Sequence, residues 1–220
     1  MQTIPDLIML LAGSYLVGAV PFGLLVVWLI NGKDVRKTGS GRTGGTNAGR
    51  AAGLLAGIAT AVLDFLKGAA VVWLARAIFP GLIWPQVAAP ILAIIGHNYS
   101  VFLIEKSRDG KLRLRGGAGG ATCFGGSFGL WPVSMAIMLP FALVTLFGIG
   151  YASVTTMAIG LMTIVIFAYR AAVGLGPWIY AVYGVIAEVL LVIALLPNIR
   201  RLIKGTERLV GLRARKDRTS

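Results

Sequence analysis

The sequence predicts an all-α integral membrane protein with seven transmembrane helices, its N-terminus outside and its C-terminus in the cytoplasm. Three observations predict this. Of 220 residues, 57% are hydrophobic and 13% are charged, about half the charge of an ordinary soluble domain. Mean hydropathy is +0.82, and apolar runs reach the roughly 20 residues that cross a bilayer. The basic residues gather in three segments that interrupt those runs. No polar linker divides the chain, so residues 1–220 read as one membrane domain ending in a basic cytoplasmic tail, 197–220.

Charge sets the orientation. Segment 31–50 holds Lys33, Arg36, Lys37, Arg42 and Arg50, and segment 105–115 holds Lys106, Arg108, Lys111, Arg113 and Arg115. The tail holds Arg200, Arg201, Lys204, Arg208, Arg213, Arg215, Lys216 and Arg218. These are 18 of the 21 lysines and arginines in a chain of net charge +13. Cytoplasmic loops carry such an excess, so all three segments are expected on the cytoplasmic side. Loops of this kind also touch anionic membrane lipids. They lack interleaved aromatics, and no nucleic acid is expected as a partner.

The first run, 4–30, is too long for a signal-peptide core and has no basic residue before it, so it reads as a retained crossing. Run 51–79 goes out and 84–104 returns. Parity then requires an even number of crossings before the tail. Two leave too much apolar sequence unused; four fit, at 118–131, 132–148, 152–170 and 177–196. Proline disfavours helix in the residue before it, so Trp131-Pro132 makes an outer turn. Gly148-Ile149-Gly150 makes the inner turn, and Gly174 to Pro177 the last outer one, with Arg170 beside it against the charge rule.

Asp64 and Lys67, three apart, share a helix face and are expected to pair inside the membrane. Glu188 is a second intramembrane carboxylate without an evident partner. Gly53-x-x-x-Gly57 suits close helix packing. The single cysteine, Cys123, excludes a disulfide framework and a cysteine metal site. Asn98-Tyr99-Ser100 fits a glycosylation triplet, a pattern common by chance.

The stretch "GSGRTGGTNAGR", 39–50, carries the chemistry. Its glycines allow positive φ and close backbone approach. Thr46 and Asn47 are suited to cap the following helix, which puts Arg50 in its first turn. Free N–H groups, the positive helix end and an arginine fork make a phosphate site, to which Ser40, Thr43 and Thr46 add hydroxyls. The formal Gly-x-Gly-x-x-Gly match is no dinucleotide fingerprint, because no strand precedes it. The second inner loop, "RGGAGGAT", repeats the theme with Gly116, Gly117, Gly119 and Thr122. His97, the only histidine, fits a general base or a structural hydrogen-bonder; near a helix end the second is commoner.

These residues resemble the bacterial acyl-phosphate:glycerol-3-phosphate acyltransferases. The matching stretches are "GSYLVGAVPFGLLV", "DVRKTGSGRTGGTNAGRAAG", "LDFLKG", "GHNYSVFL", "GGAGGAT" and "NIRRLIKGTE", in the family's order. The resemblance implies an enzyme of the bacterial plasma (inner) membrane with its active site on the cytoplasmic face. It implies acyl transfer from acyl phosphate to the 1-hydroxyl of glycerol 3-phosphate, giving lysophosphatidic acid for phospholipid synthesis. No nucleotide, coenzyme A or metal cofactor is implied. Ser40, Arg50, Asn198 and Gly117 fall on catalytic positions; Ser40, Thr46, Asn47, Arg50, Gly116, Gly117, Gly119 and Thr122 fall on phosphate-binding ones. His97, Asp64 and Lys67 are supporting candidates.

Four positions depart from the family pattern. Ala118 stands for the lysine of the second motif, Leu195 for a histidine before Asn198, and Arg42-Thr43 for an asparagine and an apolar residue. Arg115, Arg113 and Arg42 are the cations near enough in sequence to replace the lysine, and Arg115 joins the expected phosphate-binding set. A second reading stays open on the residues: a non-catalytic or repurposed binder or transporter of a phosphorylated lipid or small anion on the same fold.

Overall fold

The computed structural model describes residues 3–106 and 110–211. Arg108, Arg213, Arg215, Lys216 and Arg218, which enter the charge argument, lie outside the described residues.

The first apolar run is two helices, α1 (Ile4–Ala19) and α2 (Phe22–Asn31). Thr3 and Asp6 close a capping box at the start of α1. The single unbroken helix expected over 4–30 is corrected at Val20, whose ψ of 118° leaves the helical region. Pro21 is the cause: it disfavours helix in the preceding residue and offers no N–H of its own. The carbonyls at the break find distant donors. Ser100 Oγ donates to Ala19 O at 2.6 Å, and Lys67 Nζ to Val20 O at 3.2 Å.

The short α3 (Gly45–Ala52) and the long α4 (Leu54–Ile78) are separated by Gly53 at φ 89°, a value L-residues avoid. The second crossing therefore starts at Leu54 rather than at residue 51. The third also differs from expectation. α5 (Ile83–Asn98) stops six residues short of 104, and β1 (Ser100–Lys106) pairs antiparallel with β2 (Leu112–Arg115). The chain is thus helical but not purely so. Both strands fit the pleat: β1 is rich in β-branched and aromatic residues, and β2 alternates leucine with arginine.

α6 (Gly120–Leu130), α7 (Ser134–Val144) with a π-helical turn (Thr145–Ile149), α8 (Ala152–Ala172) and α9 (Trp178–Ile203) complete the bundle. Among the described residues, four helical segments are long and apolar enough to cross a membrane: Ile4–Asn31, Leu54–Ile78, Ala152–Ala172 and Trp178–Ile203. The outward faces carry exposed Met9, Leu29, Leu55 and Val165, as lipid contact requires. This is a multi-pass integral membrane protein.

Inside the bundle, glycines set helix distances, since lipid supplies no hydrophobic force between helices. Gly18 of α1 lies against the Ala93 backbone of α5, and Gly96 of α5 against the Tyr15 carbonyl; a Cβ at either position overlaps its neighbour. Gly125 of α6 meets the Phe65 carbonyl of α4 in the same way. Gly57 packs on Gly45 and Gly49 of α3, whereas its pattern partner Gly53 only makes the turn. The core is filled by Tyr183, Phe167, Ile94 and Leu191 on one side and Leu10, Val71 and Phe79 on the other. Arg170 lies 3.8 Å from the Trp131 ring centroid, which accommodates a cation opposite the basic end.

The three basic segments meet at one end. Thr43 N donates to Gly116 O at 3.4 Å, and Arg36 Nη1 reaches Glu105 of β1 at 3.0 Å. After α9 the chain folds back, and Val210 N donates to Gly150 O at 2.8 Å.

Candidate functional site

The first loop is built around Asn47. This buried carboxamide donates through Nδ2 to the carbonyls of Val35, Thr38 and Arg42 at 3.0, 2.9 and 2.8 Å, and accepts Ser40 N at 3.1 Å. Residues 35–42 are thereby wrapped over one side chain. Asp34 begins the wrap, accepting the Arg36 N–H and its guanidinium. The Arg36 bond holds the Asp34 carboxyl below the usual carboxylate range. The cap of α3 is Gly44, so Thr46 and Asn47 lie inside the first turn and cap nothing. Arg50 is in the last turn, where its charge suits the helix dipole, and not in the first. Its stem lies against Gly39, next to Ser40.

The second loop is fixed from beneath. Gly117 N donates to His97 O at 2.9 Å, so this N–H is engaged within the fold. The Gly117 Cα lies on the His97 ring, with no room for a side chain. His97 is held in turn: its Nδ1 is 2.8 Å from Lys67 Nζ, and Lys67 Nζ is 2.9 Å from Asp64 Oδ1. His97 Nδ1 also lies 3.5 Å from Asp64 Oδ1, so the imidazole nitrogen faces both members of the pair. Asp64 and Lys67 do pair across one helix turn, and the histidine makes the pair a buried triad. Gly119 adopts φ 84° and starts α6, with Thr122 buried in its first turn.

Arg42 spans the gap between these parts. Its Nη1 donates to Gly117 O at 2.7 Å and its Nη2 to Ala194 O of α9. Burial, and then the Arg201 charge beside it, lower the Arg42 guanidinium from its ordinary value. At the end of α9, Glu207 accepts Asn198 Nδ2 at 3.0 Å and Arg201 Nε at 2.9 Å, which orients both.

Between these segments lies a cavity of about 380 Å³, of a size that holds a small ligand. Ser40, Gly116, Arg115 and Asn198 from the expected set line it, together with Arg42, Arg113, Arg201 and Asn98. Leu114, Ile193, Ala194 and Pro197 give it an apolar side. Thr46, Asn47, Arg50, Gly117, Gly119 and Thr122 do not line it. They stand behind or beside the wall and shape it. Asn98, within the matching stretch "GHNYSVFL", is given no site role by the sequence beyond a glycosylation triplet; 5% exposed at the end of α5, it is unsuited to that role. Glu207 ends the quoted stretch "NIRRLIKGTE", but no local pattern assigns it a task. Among the described residues no three histidine, cysteine, aspartate or glutamate side chains cluster as metal ligands do.

Residues 8–205 match the family model described as glycerol-3-phosphate acyltransferase. The chain belongs to this family. Among its relatives, glycerol-3-phosphate acyltransferase 3 of Dehalococcoides mccartyi (strain CBDB1) is 36% identical over 96% of this chain and 99% of that protein. A glycerol-3-phosphate acyltransferase of Thermus thermophilus is 37% identical over 91% of this chain and 94% of that one. The crystal structure of PlsY (YgiH), an integral membrane glycerol 3-phosphate acyltransferase in its glycerol 3-phosphate form, superposes with a TM-score of 0.79. It is 27% identical and covers 94% of this chain and 96% of its own. Against this family background, Ala118 directly follows the glycine whose carbonyl Arg42 holds.

Proposed function

We propose that the chain transfers an acyl group from acyl phosphate to the 1-hydroxyl of glycerol 3-phosphate in the bacterial plasma membrane, giving lysophosphatidic acid. The observation that carries this reading is the cavity itself: four arginines, Ser40 and Asn198, drawn from all three basic segments, enclose one space with Asn98 of α5 beside an apolar wall. Cations and hydroxyls suit two phosphates, and Ile193, Ala194 and Pro197 suit the start of an acyl chain.

Acyl phosphate is an activated mixed anhydride, so no covalent enzyme nucleophile is required. The acceptor hydroxyl oxygen attacks the acyl carbonyl carbon. The bond from that carbon to the phosphate oxygen breaks, and inorganic phosphate leaves with the electron pair. The hydroxyl proton goes to a phosphate oxygen of the acceptor. The protein holds both phosphates and aligns hydroxyl with carbonyl. Ser40 and Asn198 face the ligand; Arg115 and Gly116 contribute to the phosphate wall. Arg50 attracts the anion from beside the loop. Asn47, Thr46, Gly117, Gly119 and Thr122 keep the two loops in shape, with His97, Lys67 and Asp64 below them.

The full topology belongs to the same proposal: seven crossings by α1–α2, α4, α5, α6, α7, α8 and α9, the N-terminus outside, the cavity cytoplasmic, and one membrane domain. It is supported by the order of the wall segments, which follow the first, third and seventh of these helices, and by the positive-inside bias of those segments.

The experiment is direct. Purified chain is incubated with palmitoyl phosphate and labelled glycerol 3-phosphate, and lysophosphatidic acid is measured. Product that depends on acyl phosphate and falls sharply in Ser40→Ala supports the reading. Saturable glycerol 3-phosphate binding without product overturns it in favour of a binder.

A further inference from the structure

Two cavity arginines have carboxylates of their own. Arg115 Nε is 2.7 Å from Glu105 Oε2, and Arg201 Nε is 2.9 Å from Glu207 Oε2. Arg42 differs. Among the described residues no carboxylate lies within ion-pair distance of it, and only the neutral carbonyls of Gly117 and Ala194 receive its protons. It is partly buried and shares the wall with Arg201. A partly desolvated cation beside a second cation, with no counter-ion in contact among the described residues, is costly in a protein interior. The fold nevertheless fixes its guanidinium at the junction of first loop, second loop and α9, with further N–H groups left for a ligand.

We infer that Arg42 is a phosphate-binding residue of this chain, its missing counter-ion being the phosphate of a bound substrate. The geometry explains why two carbonyls clamp the guanidinium: they aim its remaining donors and keep it from folding back onto Glu207. An arginine so oriented offers two parallel N–H bonds to phosphate oxygens. The ligand class is a phosphate monoester or an acyl phosphate. The inference rests on the acyltransferase reading for the identity of the substrates, but not for the binding of phosphate.

The test uses the full chain in detergent. Arg42→Gln keeps a hydrogen-bonding side chain and removes the charge; it is expected to raise the KM of one phosphorylated substrate roughly 10- to 100-fold. A rise confined to glycerol 3-phosphate assigns Arg42 to the acceptor, and a rise confined to acyl phosphate assigns it to the donor. Inorganic phosphate as competitive inhibitor is expected to weaken in parallel, and Arg42→Lys to recover only part of the loss, because an ammonium keeps the charge but not the fork. Unchanged KM values for both substrates and an unchanged phosphate constant overturn the inference.

Should Arg42→Gln fail to fold, Arg42→Lys gives a second measurement. It keeps the charge but has no planar fork to make two parallel bonds. Binding of labelled inorganic phosphate is expected to weaken relative to the wild-type chain; an unchanged constant overturns the inference. Wild-type chain that binds phosphate through Arg42 but makes no lysophosphatidic acid sinks the acyltransferase reading and leaves this one standing. Turnover that ignores Arg42→Gln does the reverse.

Discussion

The carboxamide oxygen of Asn47 accepts the backbone N–H of Ser40 at 3.1 Å. The serine that faces the cavity is thus placed by a residue that does not.

Asn47→Ala should collapse the loop without touching the ligand. Three carbonyls and one N–H lose their partner, and a buried unsatisfied group costs about 1–3 kcal/mol. Asn47→Asp should be no better, because it retains the acceptor for Ser40 and loses every donor. Initial rates are expected to fall more than roughly tenfold in both, with a lower melting temperature. An aspartate variant of normal activity contradicts this account.

Gly117→Ala should fail for steric reasons. The added methyl overlaps the His97 ring, and overpacking costs about 1–3 kcal/mol. Combining it with His97→Ala should recover part of the stability, since the methyl then enters space the ring vacates. Thermal melts of the two single variants and the double variant test this. Strictly additive losses rule out the contact as the cause.

The buried triad predicts an asymmetry. Lys67→Met leaves Asp64 buried without its ammonium, with only His97 Nδ1 at 3.5 Å, and losing one partner of a buried pair costs up to about 3–5 kcal/mol. The double change Asp64→Asn, Lys67→Met removes both charges and should be milder than Lys67→Met alone. Denaturation in mixed micelles gives the order.

Asp34 gives a pH prediction. Its hydrogen bond with Arg36 depresses its carboxyl. Stability from a depressed carboxylate is present above the unfolded value of about 3.9 and is lost as pH falls through the lower folded value. The pair is partly exposed, so the contribution is at most about 1 kcal/mol. Asp34→Asn should melt slightly below wild type at pH 7, and the difference should shrink below about pH 4. A gap that widens in acid contradicts the assignment.

Much of this is readable from the chain. The long runs carry the helical membrane class, and the three basic clusters anticipate that residues around 40, 115 and 198 meet. The hairpin escapes such a reading, because Val101 to Ile104 resume the hydrophobicity of α5 after only the short polar stretch His97 to Ser100. The Leu-Arg-Leu-Arg of β2 carries the period-two signal that marks it. Pro21 likewise signals the break that run length conceals. The phase of Arg50 is missed because α3 starts at Gly45, a boundary set by tertiary packing of Gly45 on Gly57. The crossing of Arg42 to Gly117, 75 residues away, has no local signature at all.

The interruption at Val20 bears on how the protein is made. The carbonyl of Ala19 waits for the hydroxyl of Ser100, 81 residues later, and that of Val20 for the ammonium of Lys67, 47 residues later. When the ribosome has delivered only the first span, neither donor exists. The kinked conformer is therefore stitched in place from behind, and the nascent N-terminal segment stays adjustable until Ser100 has emerged.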